Sequence, residues 1–343
     1  MTDSANSLMR NGILAGGNFI MDYVKVIDGY PDQDMLASII SETSSNGGGP
    51  YNVLKDLAAM GAGFPLEAAG LVGKDANGDW IIRDCEAARI DTTQLRQTEQ
   101  MPTSYTDAMT VTSTGRRTFF HQRGANAYFD EMGLDFTKTR VKHFHLGYLM
   151  LLDAMDSFVG KRTRASLALE AAKKAGLTTS VDIVSTENPD FRAIAESALP
   201  FTDVLIINEI EAGKVVDISL KLEHGVDVEA CKQVARQLLQ HGVQQQVVIH
   251  FAEGAVLADK HGEVIAQGSL NLPEGFIAGA TGAGDAFAAG YLYAFHEGWD
   301  NHQRLQLAVC AAAACLKHAT PSQGLQSVQE CLKLGEVYGY RRI

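Results

Sequence analysis

No Cys-x-x-Cys pair occurs among the five cysteines (Cys85, Cys231, Cys310, Cys315 and Cys331), which are odd in number and scattered through apolar or helical settings. They read as reduced core thiols, which points to a cytosolic protein and a cytoplasmic location. A run of roughly 18 apolar residues is absent, which argues against a membrane span. Residues 1–11 are polar and lack the basic and apolar regions of a secretory leader, so secretion is not expected either. Basic residues are in deficit: 29 Lys+Arg stand against 41 Asp+Glu, a formal net charge of -12. That balance argues against a nucleic-acid partner or an anionic membrane surface, though it leaves room for a local basic pocket. No internal repeat is detectable. What remains is 343 residues, 46% hydrophobic and 20% charged, ordinary for a soluble globular chain and long enough for one large α/β domain or two smaller ones.

The most informative stretch is Gly279-Ala280-Thr281-Gly282-Ala283-Gly284-Asp285, followed by an Ala-rich apolar run to about Phe295. Small residues let several backbone N–H groups lie side by side in an anion-binding nest. The run behind them reads as a buried helix, whose free N-terminal amides and dipole favour a phosphate. Asp285 stands at the junction. It could cap the helix, or act as a general base beside an anion hole.

Along the rest of the chain, residues 12–20 read as a buried strand, with Asp22 directly after it, and residues 23–28 as a half-exposed strand. A Gly-rich stretch, residues 44–50, ends in Pro50, which suits the first turn of a helix running to about Met60; its alternative is a flexible surface loop. Residues 104–111 and 117–121 form a hairpin about a turn at 113–116. Strands over 141–146, 178–184, 203–208 and 247–251 then alternate with helices over 154–175 and 228–241, closed by Gly176 and Gly242, and a hairpin spans 256–266. This βαβ alternation implies a mostly parallel sheet covered on both faces, with ligands beyond its C-terminal strand ends. Asp22, Asn208 and the Gly279 loop each follow an expected strand and can converge there.

Gly-Ala-Gly-Asp-Ala-Phe at residues 282–287 resembles the C-terminal signature of the ribokinase-like (PfkB) carbohydrate kinases. Gly48-Gly49-Pro50-Tyr51-Asn52, continued at residues 70–78, resembles their N-terminal signature; Gly73-Lys74 is no Walker lysine, because Asp75 stands where Ser or Thr is required. The resemblance runs from Gly16 to about Gln323. It implies one ribokinase-like domain over residues 1–343, a three-layer α/β/α fold with a mostly parallel sheet, and a small β lid from about 20–30 and 103–122. It implies an ATP-dependent sugar kinase acting on a hydroxymethyl group, with Asp285 as the base and the amides of Gly282, Ala283 and Gly284 as the anion hole. Asp22, Gly48, Gly49 and Asn52 would hold the sugar. Thr281, Gly282, Gly284, Asn208 and Gly254 would contact the nucleotide. Asn208 and Glu211, an Asn-x-x-Glu that would otherwise be a solvated helix start, would orient Mg²⁺ through water. A homodimer through the lid also follows from the resemblance.

The departures are specific. The family's Asp-Pro-Asn near Asp182 is replaced by Ile183-Val184-Ser185, and its Thr-x-Gly-x-x-Gly turn keeps only Gly254. Gly279-Ala280 stand where many relatives have the Asp-Thr that helps bind K⁺, so K⁺ dependence is expected to be weak. Cys310 belongs to a core helix near the place where relatives often carry an Asn against adenine. His143 and His145 read as core residues. Arg116, Arg117 and Arg123 read as turn charges, one of which could reach an anionic substrate. A nucleoside kinase of the same fold and a non-catalytic sugar- or nucleotide-sensing protein are the alternatives.

Overall fold

The computed structural model describes residues 10–114 and 116–343. Strand β1 (Ile13–Gly17) sends Ile13 and Ala15 into one hydrophobic core and Leu14 into another. This is the period-2 pattern of a strand buried on both faces. From β1 the sheet extends on one side through β4 (Leu66–Gly73) to β5 (Asp91–Thr98). On the other side it runs through β8 (His143–Leu149), β11 (Thr178–Ile183), β12 (Val204–Asn208) and β13 (Gln246–Phe251). All of these neighbours pair in parallel. β14 (Gly254–Asp259) and β15 (Val264–Gly268) pair antiparallel and complete a nine-stranded sheet. Helices Gly49–Ala59, Ala283–His296 and Asn301–Cys315 cover one face, and Arg164–Lys174, Phe191–Ala198 and Val228–Gln240 the other. Among the described residues no helix is long and apolar enough to cross a membrane.

A second, four-stranded sheet covers the C-terminal ends of these strands. Its order is β3 (Ile39–Gly47), β2 (Ile20–Ile27), β6 (Tyr105–Val111), β7 (Arg117–Gln122). A two-residue pair, β9 (Phe158–Val159) and β10 (Arg162–Thr163), lies apart from both sheets.

Several sequence expectations change here. Residues 12–20 are not one strand: β1 stops at Gly17, whose φ is +131° and where a Cβ would lie 1.8 Å from the Gly147 carbonyl oxygen. The chain can pass that contact only as glycine, and it then crosses into the lid. Asp22 therefore lies within β2 instead of following a strand. Residues 44–47 of the Gly-rich stretch are the end of lid strand β3, which pairs antiparallel with β2. Residues 154–175 are not one helix. A short helix, Asp153–Asp156, is followed by the β9–β10 turn with Gly160 at φ +66°, and Thr163 then caps a new helix by accepting from Ser166 N–H. Gly115, inside the expected 113–116 turn, lies outside the described residues.

Candidate active site

Helix Gly49–Ala59 begins at Gly48 (φ +89°), where a Cβ would meet Asn18 backbone, and carries Pro50 in its first turn, where no N–H is needed. One turn in, Asn52 is 3% exposed. Its Nδ2 donates to Asp285 Oδ2 at 2.7 Å, and its Oδ1 accepts from Asn46 Nδ2 at 2.7 Å. Asn46, on β3, also donates to Ser322 Oγ at 3.0 Å. Tyr148, at the end of β8, donates its hydroxyl to Asp285 Oδ1 at 2.5 Å. Its ring lies against Gly49, where a Cβ would meet it at 2.8 Å.

Asp285 does not cap its helix. The N-cap is Gly282 in the left-handed region (φ 80°), with no side-chain cap, and both Asp285 oxygens are held by residues of other elements. Burial to 5% exposure pushes its pKa up to about 6, against the opposing pull of the Asn52 and Tyr148 hydrogen bonds. The first-turn amides have no intrahelical acceptor, so donors and a desolvated carboxylate share one corner. Asp22 pairs across the lid with Ser45 and Thr106. Its carboxylate occupies the space a Cβ on Gly47 would need, 2.3 Å away. Burial pushes Asp22 up to about 7, with Thr106 lowering and Asp285 raising it.

Beside this corner a cavity of about 420 Å³ runs between the β13–β14 hairpin and helix Asn301–Cys315, lined in part by His250, Gly254, Ile277, Gly284, Val309 and Ala313. Cys310 is fully buried and faces away from it, 3.6 Å from the Tyr340 hydroxyl.

Asn208 and Glu211 form a reciprocal capping box at the start of helix Glu209–Val216. The box is not a solvated one: Glu211 is 3% exposed, and accepts from Ser185 Oγ and Asn208 Nδ2, each at 2.7 Å. Burial pushes Glu211 up to about 7. Asp182, at the end of β11, is also buried, and its pKa is raised by burial and then by the charges of Glu211 and Asp285. Among the described residues no group of three or more His, Cys, Asp or Glu could by itself hold a metal ion. The donor set, two buried carboxylates that repel one another without a facing cation, fits a hard divalent ion that keeps most of its waters.

Other residues resolve simply. His143 meets Thr178 and Ser180 hydroxyls at 2.8 and 2.7 Å, as a satisfied core group does, whereas His145 meets Ser180 through Nδ1 at 2.8 Å and its buried Nε2 has no hydrogen-bond partner among the described residues. Arg123 pairs with Asp153 at 2.6 Å. Arg117 reaches the Gly-rich loop and donates to the Thr281 hydroxyl. Tyr148, Asn46 and His250 escaped the sequence reading; each lies at the end of a strand, and that position was their one available signal. Asp182 and Ser185 were met only as the departure from the family's Asp-Pro-Asn, and the place of that motif was their signal.

The comparisons agree along the chain. The model of the pfkB family carbohydrate kinases matches residues 13–327. A ribokinase of Arabidopsis thaliana is 27% identical over 289 residues, 80% of this chain and 70% of that protein. An ATP-dependent ribose-1-phosphate kinase of Halopiger xanaduensis is 28% identical over 305 residues, 88% and 90% of the two chains. The solved Arabidopsis ribokinase, complexed with ribose and ATP, superposes with a TM-score of 0.77 at 22% identity, over 95% of this chain and 99% of that one. A parallel sheet under a β lid and a signature loop opening a buried helix thus coincide with a family match over nearly the full length, and the chain belongs to the pfkB family of carbohydrate kinases, phosphotransferases with an alcohol group as acceptor.

Proposed function

We propose that this enzyme transfers the γ-phosphoryl group of ATP to a hydroxymethyl group of a sugar or sugar-like alcohol. The observation that carries the reading is Asp285: a desolvated carboxylate held by Asn52 and Tyr148, not spent as a cap, in the first turn of a helix with no side-chain cap, whose Ala283 amide makes a long 3.4 Å contact to the Ala280 carbonyl. The acceptor oxygen bonds to phosphorus as the bond to ADP breaks, and its proton passes to Asp285. Phosphoryl transfer asks mainly for alignment and for neutralisation of charge. Asp22, Gly48, Gly49 and Asn52 align the acceptor. The Gly282, Ala283 and Gly284 amides, with Thr281, receive the phosphoryl charge, where one well-placed donor contributes ~3 kcal/mol. Gly254 borders the nucleotide cavity. Asn208 and Glu211, with Asp182 beside them, would hold Mg²⁺ largely through water, and the ion would neutralise phosphate charge.

ATP turnover across a panel of pentoses, hexoses, sugar acids and nucleosides tests this. A sugar is the expected acceptor. Preference for a nucleoside would favour the nucleoside-kinase alternative, and ligand binding without any turnover would favour a sensing protein. Once the acceptor is known, Asp22→Ala should raise its KM about tenfold or more by removing a hydroxyl partner. An effect confined to the KM for ATP would contradict that placement.

A dimer through the lid belongs to the same proposal. Ile39 and Ile40 on one edge strand and Phe119 and Phe120 on the opposite edge strand are each more than half exposed, and exposed apolar edges of this kind suit pairing with a second lid. Sedimentation should give twice the chain mass, and a monomer at working concentrations would remove the dimer.

A further inference from the structure

Arg117 opens β7 on the lid's outer edge, opposite Thr110 of β6. Its side chain crosses from the lid to the Gly279–Gly284 loop. Nη1 donates to the Thr281 hydroxyl, and a methyl placed on Gly279 would meet Nη2 at 2.8 Å. A cavity of about 580 Å³ opens here, lined by Arg117, Phe119 and residues 277–281.

The guanidinium meets a neutral partner, as those of Arg10 and Arg304 also do. Lys25, Lys55, Lys173 and Arg123 each pair with a carboxylate. Among the described residues no carboxylate lies within 4.0 Å of Arg117, and its hydrogen-bond partner is a neutral hydroxyl. Partial burial already disfavours its charged form. A cation drawn out of water beside a nest of backbone amides, with no counter-charge, is costly unless a ligand brings one. Both the amides and the guanidinium call for an anion, and a fork of N–H donors suits phosphate oxygens.

Position separates the phosphate from the acceptor. Asp22 lines up across the lid with Thr106 and then His121. Arg117 stands four residues from His121 along β7, ~13 Å at strand rise. It instead meets Thr281, in the loop that leads into the Asp285 helix.

We infer that Arg117 is a lid-borne phosphate clamp: on binding of a nucleoside triphosphate it leaves the Thr281 hydroxyl for oxygens of the terminal phosphate and stabilises the group in transfer. The inference rests on the kinase reading of the Asp285 corner. It also makes lid closure respond to the phosphate chain.

The test uses the full chain with Arg117→Gln and Arg117→Lys. Calorimetry with Mg²⁺ compares β,γ-methylene-ATP with AMP, and turnover is measured with ATP and the acceptor found in the panel. Arg117→Gln should weaken the triphosphate analogue about tenfold or more, leave AMP within twofold, and lower kcat about 100-fold. Arg117→Lys should recover part of both losses, since it restores the charge without the fork. Unchanged triphosphate affinity with kcat within threefold of wild type would overturn the clamp, leaving Arg117 as a latch on Thr281. Equal weakening of AMP and the triphosphate would overturn it too, by showing damage to the whole pocket. If the wild type bound no triphosphate, the kinase reading would fall and the clamp with it; a wild type that binds and turns over while the variants match it sinks the clamp alone.

Discussion

Asp285→Asn is expected to lower kcat by a factor on the order of 10²–10⁴, the range contributed by a positioned base. The change keeps the side chain's size and one oxygen. In the wild type, kcat/KM should rise with pH and level off above about 6, because the carboxylate works only once deprotonated and burial holds its pKa there. The variant should lose that inflection. Its stability should move the other way. A carboxyl whose folded-state pKa lies above its unfolded value contributes stability that is full below the unfolded pKa and lost as pH rises through about 6. The amide carries no such loss, so the melting temperature of Asp285→Asn at pH 8 should equal or exceed that of wild type. Near-normal turnover in the folded variant would remove Asp285 as the base.

Asn52→Asp should rank second. The Asn52 amide donates to Asp285 Oδ2 at 2.7 Å in a buried site. The change turns that donor into a second acceptor and sets two carboxyl groups at hydrogen-bond distance. Both cannot ionise together, so the pair retains a shared proton and its second ionisation moves up. At pH 7 the base is then largely occupied. A fall in kcat of about 100-fold is expected at that pH, with the inflection of the rate profile displaced above 7 and partial recovery at higher pH. Circular dichroism checks that the fold survives. A pH–rate profile superimposable on wild type would show that the two side chains do not share a proton during turnover.

These predictions join residues that lie far apart in the chain: Asn52 and Asp285 are 233 positions apart, and Tyr148 and Asp285 are 137 apart. The helix behind Asp285 and its glycine loop were legible locally, because small residues followed by an apolar run carry their own conformational preference. Whether Asp285 capped that helix was not, since a cap and a base have the same local sequence. β3 was missed because it is exposed over most of its length and becomes buried only at Ser45–Gly47, where β2 and helix Gly49–Ala59 cover it. The 154–175 segment kept an apolar rhythm that reads as one helix, and a left-handed Gly160 divides it. Asn208-x-x-Glu211 was legible as a helix start. That its carboxylate is buried beside Asp182 depends on β11 and β12 being neighbours.

By itself the sequence determined the βαβ alternation that implies a parallel sheet buried on both faces, and the two signature loops. Each is a matter of short-range periodicity and backbone freedom, carried by residues within a few positions of one another. The tertiary structure alone decided that the lid contains β3 and sends Arg117 to Thr281, that Tyr148 and Asn52 divide the two oxygens of Asp285 between them, and that the carboxylates of Asp22, Asp182 and Glu211 are desolvated together. Those are properties of electrostatics and hydrogen bonding in a low-dielectric corner, which exists only once segments distant in sequence have packed against each other.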